Sequence, residues 1–223
     1  GGQDVPPQDE QLADRVATIT SIREMPFEQA VAQGRVTFLG PDENAAYLDM
    51  NRALSVAPEC RGGKLVYTPL HGVGSVTVGR LLRQEGFDVV AVPEQEDFDG
   101  GFPTVKYLAP NPEVPSCYER AEVVADAVGA DLILSTDPDA DRIGIEVAGP
   151  DGGWRFVTGD ETLLLATHFI LSRRAAAGTL PPDPFVIKTL VTSERVATIA
   201  RAYGCHVVGD LLVGFKYMAD VLQ

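Results

Sequence analysis

The chain has 223 residues, 45% of them apolar, and a formal charge of −14 at pH 7. That is enough apolar material for one large or two small domains, each with its own core. The acidic excess excludes nucleic acid as a general partner, because a phosphate backbone needs a basic surface, and no apolar run nears the ~20 residues of a membrane span.

Gly1-Gly2-Gln3-Asp4 offers neither a basic start nor an apolar stretch, so nothing points to secretion or anchoring and a cytoplasmic home is expected. Cys60, Cys117 and Cys205 are too far apart for a CxxC metal pair or a disulfide framework.

From the N-terminus, Leu12, Val16 and Ile19 recur at helical spacing; Pro26 interrupts, and Phe27 and Val31 resume the pattern. A second helical stretch runs over 44–54. After Gly62-Gly63, short apolar strands alternate with helices. Strands are expected at 64–67, 88–92 and 131–135, with helices at 74–85 and 118–128. Residues 93–115, rich in Pro, Gly, Asp and Glu, read as a long functional or disordered loop.

Residues 143–147 alternate as a strand, and Asp151-Gly152-Gly153 turns the chain into a hairpin partner at 154–157. The strand–helix rhythm then restarts, with helices at 162–171 and 194–203, strands at 185–188 and 206–208, and a last helix from about Gly214. The expected fold is α/β: two consecutive α/β units with mostly parallel sheets flanked by helices. The first unit spans residues 1–157 and the second 158–223, the latter expected to be truncated. Both chain ends look cut.

Directly beyond the apolar strand ending at Ser135, three aspartates stand at alternate positions: Asp137, Asp139 and Asp141. In open α/β sheets that edge is where ligands bind. Three crowded carboxylates raise one another's pKa unless a cation sits among them, and a hard divalent ion, Mg²⁺ first, suits oxygen ligands. A solvated acidic loop competes with this assignment. An EF-hand does not, because loop positions six and twelve are Arg142 and Ala148 rather than Gly and Glu. Arg142 can neutralise the aspartates and also hold a phosphoryl group against the metal.

His71, set between Pro69-Leu70 and Gly72-Val73-Gly74, has a structural role as its first expectation. Its glycines would serve a tight turn or free backbone N–H groups for an anion.

The segment TDPDADRIG (136–144), with TPLHGVG (68–74) before it, GDE (159–161) behind it and VGFKY (213–217) near the end, resembles the α-D-phosphohexomutase superfamily, which includes phosphoglucomutases and phosphomannomutases. The resemblance covers nearly the whole chain and implies the second and part of the third of four domains. It implies Mg²⁺ on Asp137, Asp139 and Asp141, shared with a phosphoserine of the first domain, and Arg142 beside the transferring phosphoryl group. Lys188 would then lie near the substrate phosphate, and Gly214, Phe215 and Lys216 in a loop that meets the sugar. Many relatives have Thr where this chain has Val213.

The reaction so implied interconverts hexose 1-phosphate and hexose 6-phosphate through a bisphosphate. Partners would be the hexose phosphate, the hexose bisphosphate and the missing first and fourth domains. The nucleophilic serine segment is not found, so this piece alone is expected to be inactive. A metal-dependent sugar phosphatase and a non-enzymatic cation-binding domain are the alternatives.

Overall fold

The computed structural model describes Asp4 and residues 6–222. Three helices come first: α1 (Gln8–Ala17), α2 (Phe27–Ala32) and α3 (Pro41–Arg52). α1 and α2 follow the expected periodicity, yet they bury no residue, and Leu12 and Val16 stay more than half exposed. α3 begins where Pro41 pre-sets the helical φ and the Glu43 carboxylate accepts from the Gly40 N–H.

A five-stranded sheet follows, in the order β2-β1-β3-β4-β5. β1 (Lys64–Thr68) lies between β2 (Asp88–Ala91) and β3 (Leu132–Thr136), parallel to both. β4 (Ile143–Ala148) and β5 (Trp154–Val157) are added antiparallel, joined by the 151–153 turn. Four consecutive residues of β1, Leu65 to Thr68, are buried, as suits a central strand covered on both faces.

Helix α4 (Val78–Gln84) connects β1 to β2, and α5 (Glu119–Val128) leads into β3, ending at Gly129 in the left-handed conformation. The core joins Val66, Leu70, Val92, Ile133, Tyr118, Ala121 and Ala125, with Trp154 and Phe156 packed against it.

The expected helix from Gly74 is shorter than its pattern. Val73–Ser75 forms a 3₁₀ turn, and the α-helix starts only at Val78. The 93–115 stretch contains a short 3₁₀ turn at Lys106–Leu108, runs into another at Pro115–Cys117 and buries Gln95, Val105 and Pro112, so it is an ordered part of the first unit.

The second sheet pairs β6 (Phe185–Thr189) with β7 (His206–Leu211) in parallel. α6 (Gly159–Ala176) and α7 (Glu194–Ala202) pack together beside it, and α8 (Phe215–Val221) follows β7. Its core centres on Leu171, Ala200 and Cys205, with Val186, Ile199 and Val207 against them. Among the described residues, no helix is long and apolar enough to cross a membrane.

Candidate metal centre

Because β1, β2 and β3 are parallel, their carboxyl ends deliver three segments to one edge of the sheet: residues 69–74, 92–105 and 137–142. The aspartate loop turns β3 back into antiparallel β4. Its turn is closed by the Ala140 N–H donating to the Asp137 carbonyl at 3.0 Å, with Ala140 at φ 59°. This compact turn gathers the carboxylates: one oxygen each from Asp137, Asp139 and Asp141 lies within 4.8 Å of the others. Asp137 is buried, while Asp139 and Asp141 are exposed.

Arg142 is fastened to the first of them. Its backbone N–H donates to Asp137 Oδ1 at 2.9 Å and its Nε to Oδ2 at 2.7 Å, so neither bond uses the terminal amino groups. Burial pushes the Asp137 carboxyl up, but the hydrogen bonds from Arg142 outweigh it and hold Asp137 below the ordinary aspartate value. Asp141 moves the other way, raised by desolvation and by the charges of Asp139 and Asp137. That residual repulsion is what a divalent cation relieves, and all three donors are hard oxygens, so the residues fit Mg²⁺. A carboxylate has about four lone-pair positions, so Asp137 keeps acceptor capacity beside its two bonds to Arg142.

The turn at His71 lies against this loop. Leu70 and His71 both adopt positive φ, 47° and 66°. The Val73 N–H donates to the Pro138 carbonyl at 2.8 Å. A Cβ on Gly72 would overlap the Pro138 backbone, so only glycine permits this approach. The N–H groups of His71, Gly72 and Val73 go to the carbonyls of Gln95, Pro69 and Pro138. An anion-binding role for these three is therefore ruled out, and the tight turn explains the glycine.

His71 is buried, with Nδ1 3.2 Å from the Asp97 carbonyl and Nε2 2.9 Å from Thr104 Oγ1. Gln95 and Thr104 were not anticipated. They lie in the irregular 93–115 stretch, where no spacing rule identifies contact residues.

The GDE segment proves to be a helix start. The Thr158 side chain accepts from the Glu161 N–H while the Glu161 carboxylate accepts from the Thr158 N–H. The T-x-x-E spacing carries that signal in the sequence. Asp160 accepts from the Ser193 N–H at 3.3 Å, tying α6 to the β6–α7 connection.

In the second unit, Lys188 is the penultimate residue of β6 and is nearly fully buried; its Nζ pairs with Glu194 at 2.6 Å. Gly214, at φ 136°, precedes α8, where Phe215 is exposed and Lys216 Nζ meets Asp9 at 3.3 Å. Among the described residues, no hydrogen bond or ion pair joins Lys188 to the aspartate loop.

The description "Phosphoglucomutase/phosphomannomutase, alpha/beta/alpha domain II" matches residues 45–149, and the corresponding domain III description matches residues 158–223. A probable phosphoribomutase of Schizosaccharomyces pombe is 39% identical over 164 residues, 73% of this chain and 27% of that protein. A phosphoglucomutase of Staphylococcus saprophyticus is 30% identical over 228 residues, 100% of this chain and 40% of that protein. The chain thus spans less than half the length of these curated relatives.

In fold it is similar to a phosphoglucomutase/phosphomannomutase family protein of Burkholderia thailandensis, with a TM-score of 0.57 and 22% identity over 77% of this chain and 35% of that one. With two successive domain descriptions of one family matched in order, and the aspartate loop at the sheet edge of the first, the chain belongs to the phosphoglucomutase/phosphomannomutase family.

Proposed function

We propose that this chain supplies the metal-binding unit, and part of the sugar-phosphate-binding unit, of an enzyme that interconverts hexose 1-phosphate and hexose 6-phosphate. The observation that carries this is the gathering of three aspartate oxygens within 4.8 Å, with Arg142 fastened to the buried one. Asp137, Asp139 and Asp141 would hold Mg²⁺, which when bound supplies charge neutralisation at the transferring phosphoryl group. The aspartates act as ligands, not as proton donors or acceptors.

Arg142 orients by its bonds to Asp137 and directs its terminal amines to phosphoryl oxygens, a donor set suited to that geometry. Lys188 serves the substrate phosphate as a point charge, and Gly214, Phe215 and Lys216 meet the sugar. Lys188 must then leave Glu194 or share it. We place the boundary between the units at 157/158, where β5 ends and the capped start of α6 begins.

The first test is a Mg²⁺ titration of this chain by calorimetry, beside Asp137→Ala, Asp139→Asn and Asp141→Ala. Saturable binding that the three variants weaken supports the assignment; unchanged affinity in all three removes it. The chain alone should not turn over glucose 1-phosphate, since the phosphoserine and the other domains lie outside it; turnover by this chain would favour a phosphatase or another self-contained activity.

The Schizosaccharomyces pombe relative favours a second substrate, ribose phosphate. Comparing glucose 1-phosphate, mannose 1-phosphate and ribose 1-phosphate with an enzyme that contains this chain decides between them.

A further inference from the structure

We propose that His71 and Gly72 are positioning residues for the aspartate loop, and that the 94–105 segment sets that loop's geometry through them. This rests on the metal assignment above for its consequence, but not for its geometry.

The connection runs through named contacts. Gln95 is fully buried; its Oε1 accepts from Thr68 Oγ1 at 2.8 Å, and its carbonyl accepts from the His71 N–H at 3.0 Å. Thr68 Oγ1 in turn accepts from the Leu70 N–H at 3.0 Å, which closes a ring of bonds around the start of the turn. The Asp97 carbonyl can only accept, so His71 carries its proton on Nδ1, and Nε2 accepts from the Thr104 hydroxyl. The His71 carbonyl accepts from the Asp99 N–H at 3.3 Å. His71 is thereby held at its N–H, its carbonyl and both ring nitrogens by residues 95 to 104.

Two residues on, the Val73 N–H holds the Pro138 carbonyl, and the missing side chain of Gly72 lets the two backbones touch. Pro138 sits between Asp137 and Asp139. A shift of the turn therefore moves the spacing of two carboxylates directly. The positive φ of Leu70 and His71, which non-glycine residues adopt at a cost, is maintained by these bonds. The irregular 94–105 stretch accordingly acts as a brace for the metal loop.

The test uses the 223-residue chain with Mn²⁺ as probe, free ion being read by electron paramagnetic resonance, together with amide hydrogen exchange at Val73 and Arg142. Val73 reports the Pro138 bond and Arg142 the Asp137 bond. Thr104→Val removes the donor to His71 without touching the loop, Thr104→Ser keeps it, and His71→Asn removes the ring.

Thr104→Val and His71→Asn should weaken Mn²⁺ binding by about 10-fold, the scale seen when support behind a metal ligand is removed. Both amides should exchange faster, and Thr104→Ser should restore parent values. Unchanged exchange at Val73 and Arg142 in both variants overturns the proposal, even if the melting temperature falls. Should the parent bind no Mn²⁺, the exchange data still decide the brace. If His71→Asn does not fold, the Thr104 pair carries the decision.

Discussion

Glu146→Gln should stabilise this chain at pH 8 and leave it nearly unchanged at pH 4.5. Glu146 lies on β4, 3% exposed, with one carboxylate oxygen that no described group hydrogen-bonds. Burial, then the charge of Glu122 and its hydrogen bond on the facing helix α5, raise the Glu146 carboxyl from 4.5 to about 7. Tyr118, beside the same group, has its phenol raised as well, chiefly by burial and in part by Glu146. Between those two values the folded chain keeps a proton that the unfolded chain has lost, so stability falls as pH rises through this window.

The full penalty, reached above about pH 7, is roughly 3 kcal/mol, from ~1.4 kcal/mol per tenfold change. Glutamine keeps a donor for Glu122 and carries no charge, so it removes that penalty. The single tryptophan, Trp154, packs on the same core and reports unfolding of this sheet by fluorescence. With a urea slope of about 2 kcal/mol/M, the variant's midpoint should exceed the parent's by ~1.5 M at pH 8. A difference between the two proteins that does not change with pH would refute the assignment of a neutral buried Glu146.

Arg142→Ala, measured in a chelator, should cost about 2 kcal/mol at pH 7 by removing the charged Nε donor to the buried Asp137 Oδ2, while the backbone N–H of residue 142 still donates to Oδ1. Because the folded Asp137 value is lowered, that stabilisation is present above pH 3.8 and lost as pH falls through the folded value, so parent and variant urea curves should converge in acid. Gly144→Ala should destabilise by about 1–3 kcal/mol, since its Cβ would overlap the Tyr118 hydroxyl and the Pro112 carbonyl; Tyr118→Phe in the same chain should recover part of the loss in thermal melts. Iodoacetamide applied to the native chain should label Cys60 alone, Cys117 and Cys205 being buried; mass spectrometry reads the number of adducts.

The aspartate loop was visible in the sequence because its signal is local: an apolar strand followed by carboxylates at alternate positions. The strands and most helices were visible for the same reason, their periods being short. What supports the loop was not. His71's ring partners are 26 and 33 residues away, in a stretch without period, so only the return of parallel strands to one edge brings them together. The overlong helix expected from Gly74 has a related cause. The Val73 N–H is tied to Pro138 and Gly74 sits where a Cβ would overlap the Tyr67 hydroxyl, contacts from distant parts of the chain that the local pattern does not contain, and the segment takes a 3₁₀ turn before the α-helix starts at Val78. α1 and α2 show the converse: their apolar stripes are correct, but no described element of this chain covers them.

The charge of −14 can now be set against the phosphate-handling role proposed above. Many of the cations are spent on carboxylates: Arg52 and Arg61 on Glu85, Arg83 on Glu96, Lys106 on Glu119, Arg120 on Glu94, Arg155 on Glu161, Arg173 on Glu59 and Lys188 on Glu194. Pairs of this kind leave little net positive potential to draw a phosphate from a distance. A bound divalent ion would change that locally, replacing mutual repulsion among three carboxylates with a cation at the edge of the sheet. Arg142 adds terminal amines that its bonds to Asp137 do not use. Attraction of a sugar phosphate to this unit should therefore depend on the metal far more than on the lysines and arginines of its surface. Removing the ion should then weaken phosphate binding more than raising the salt concentration does.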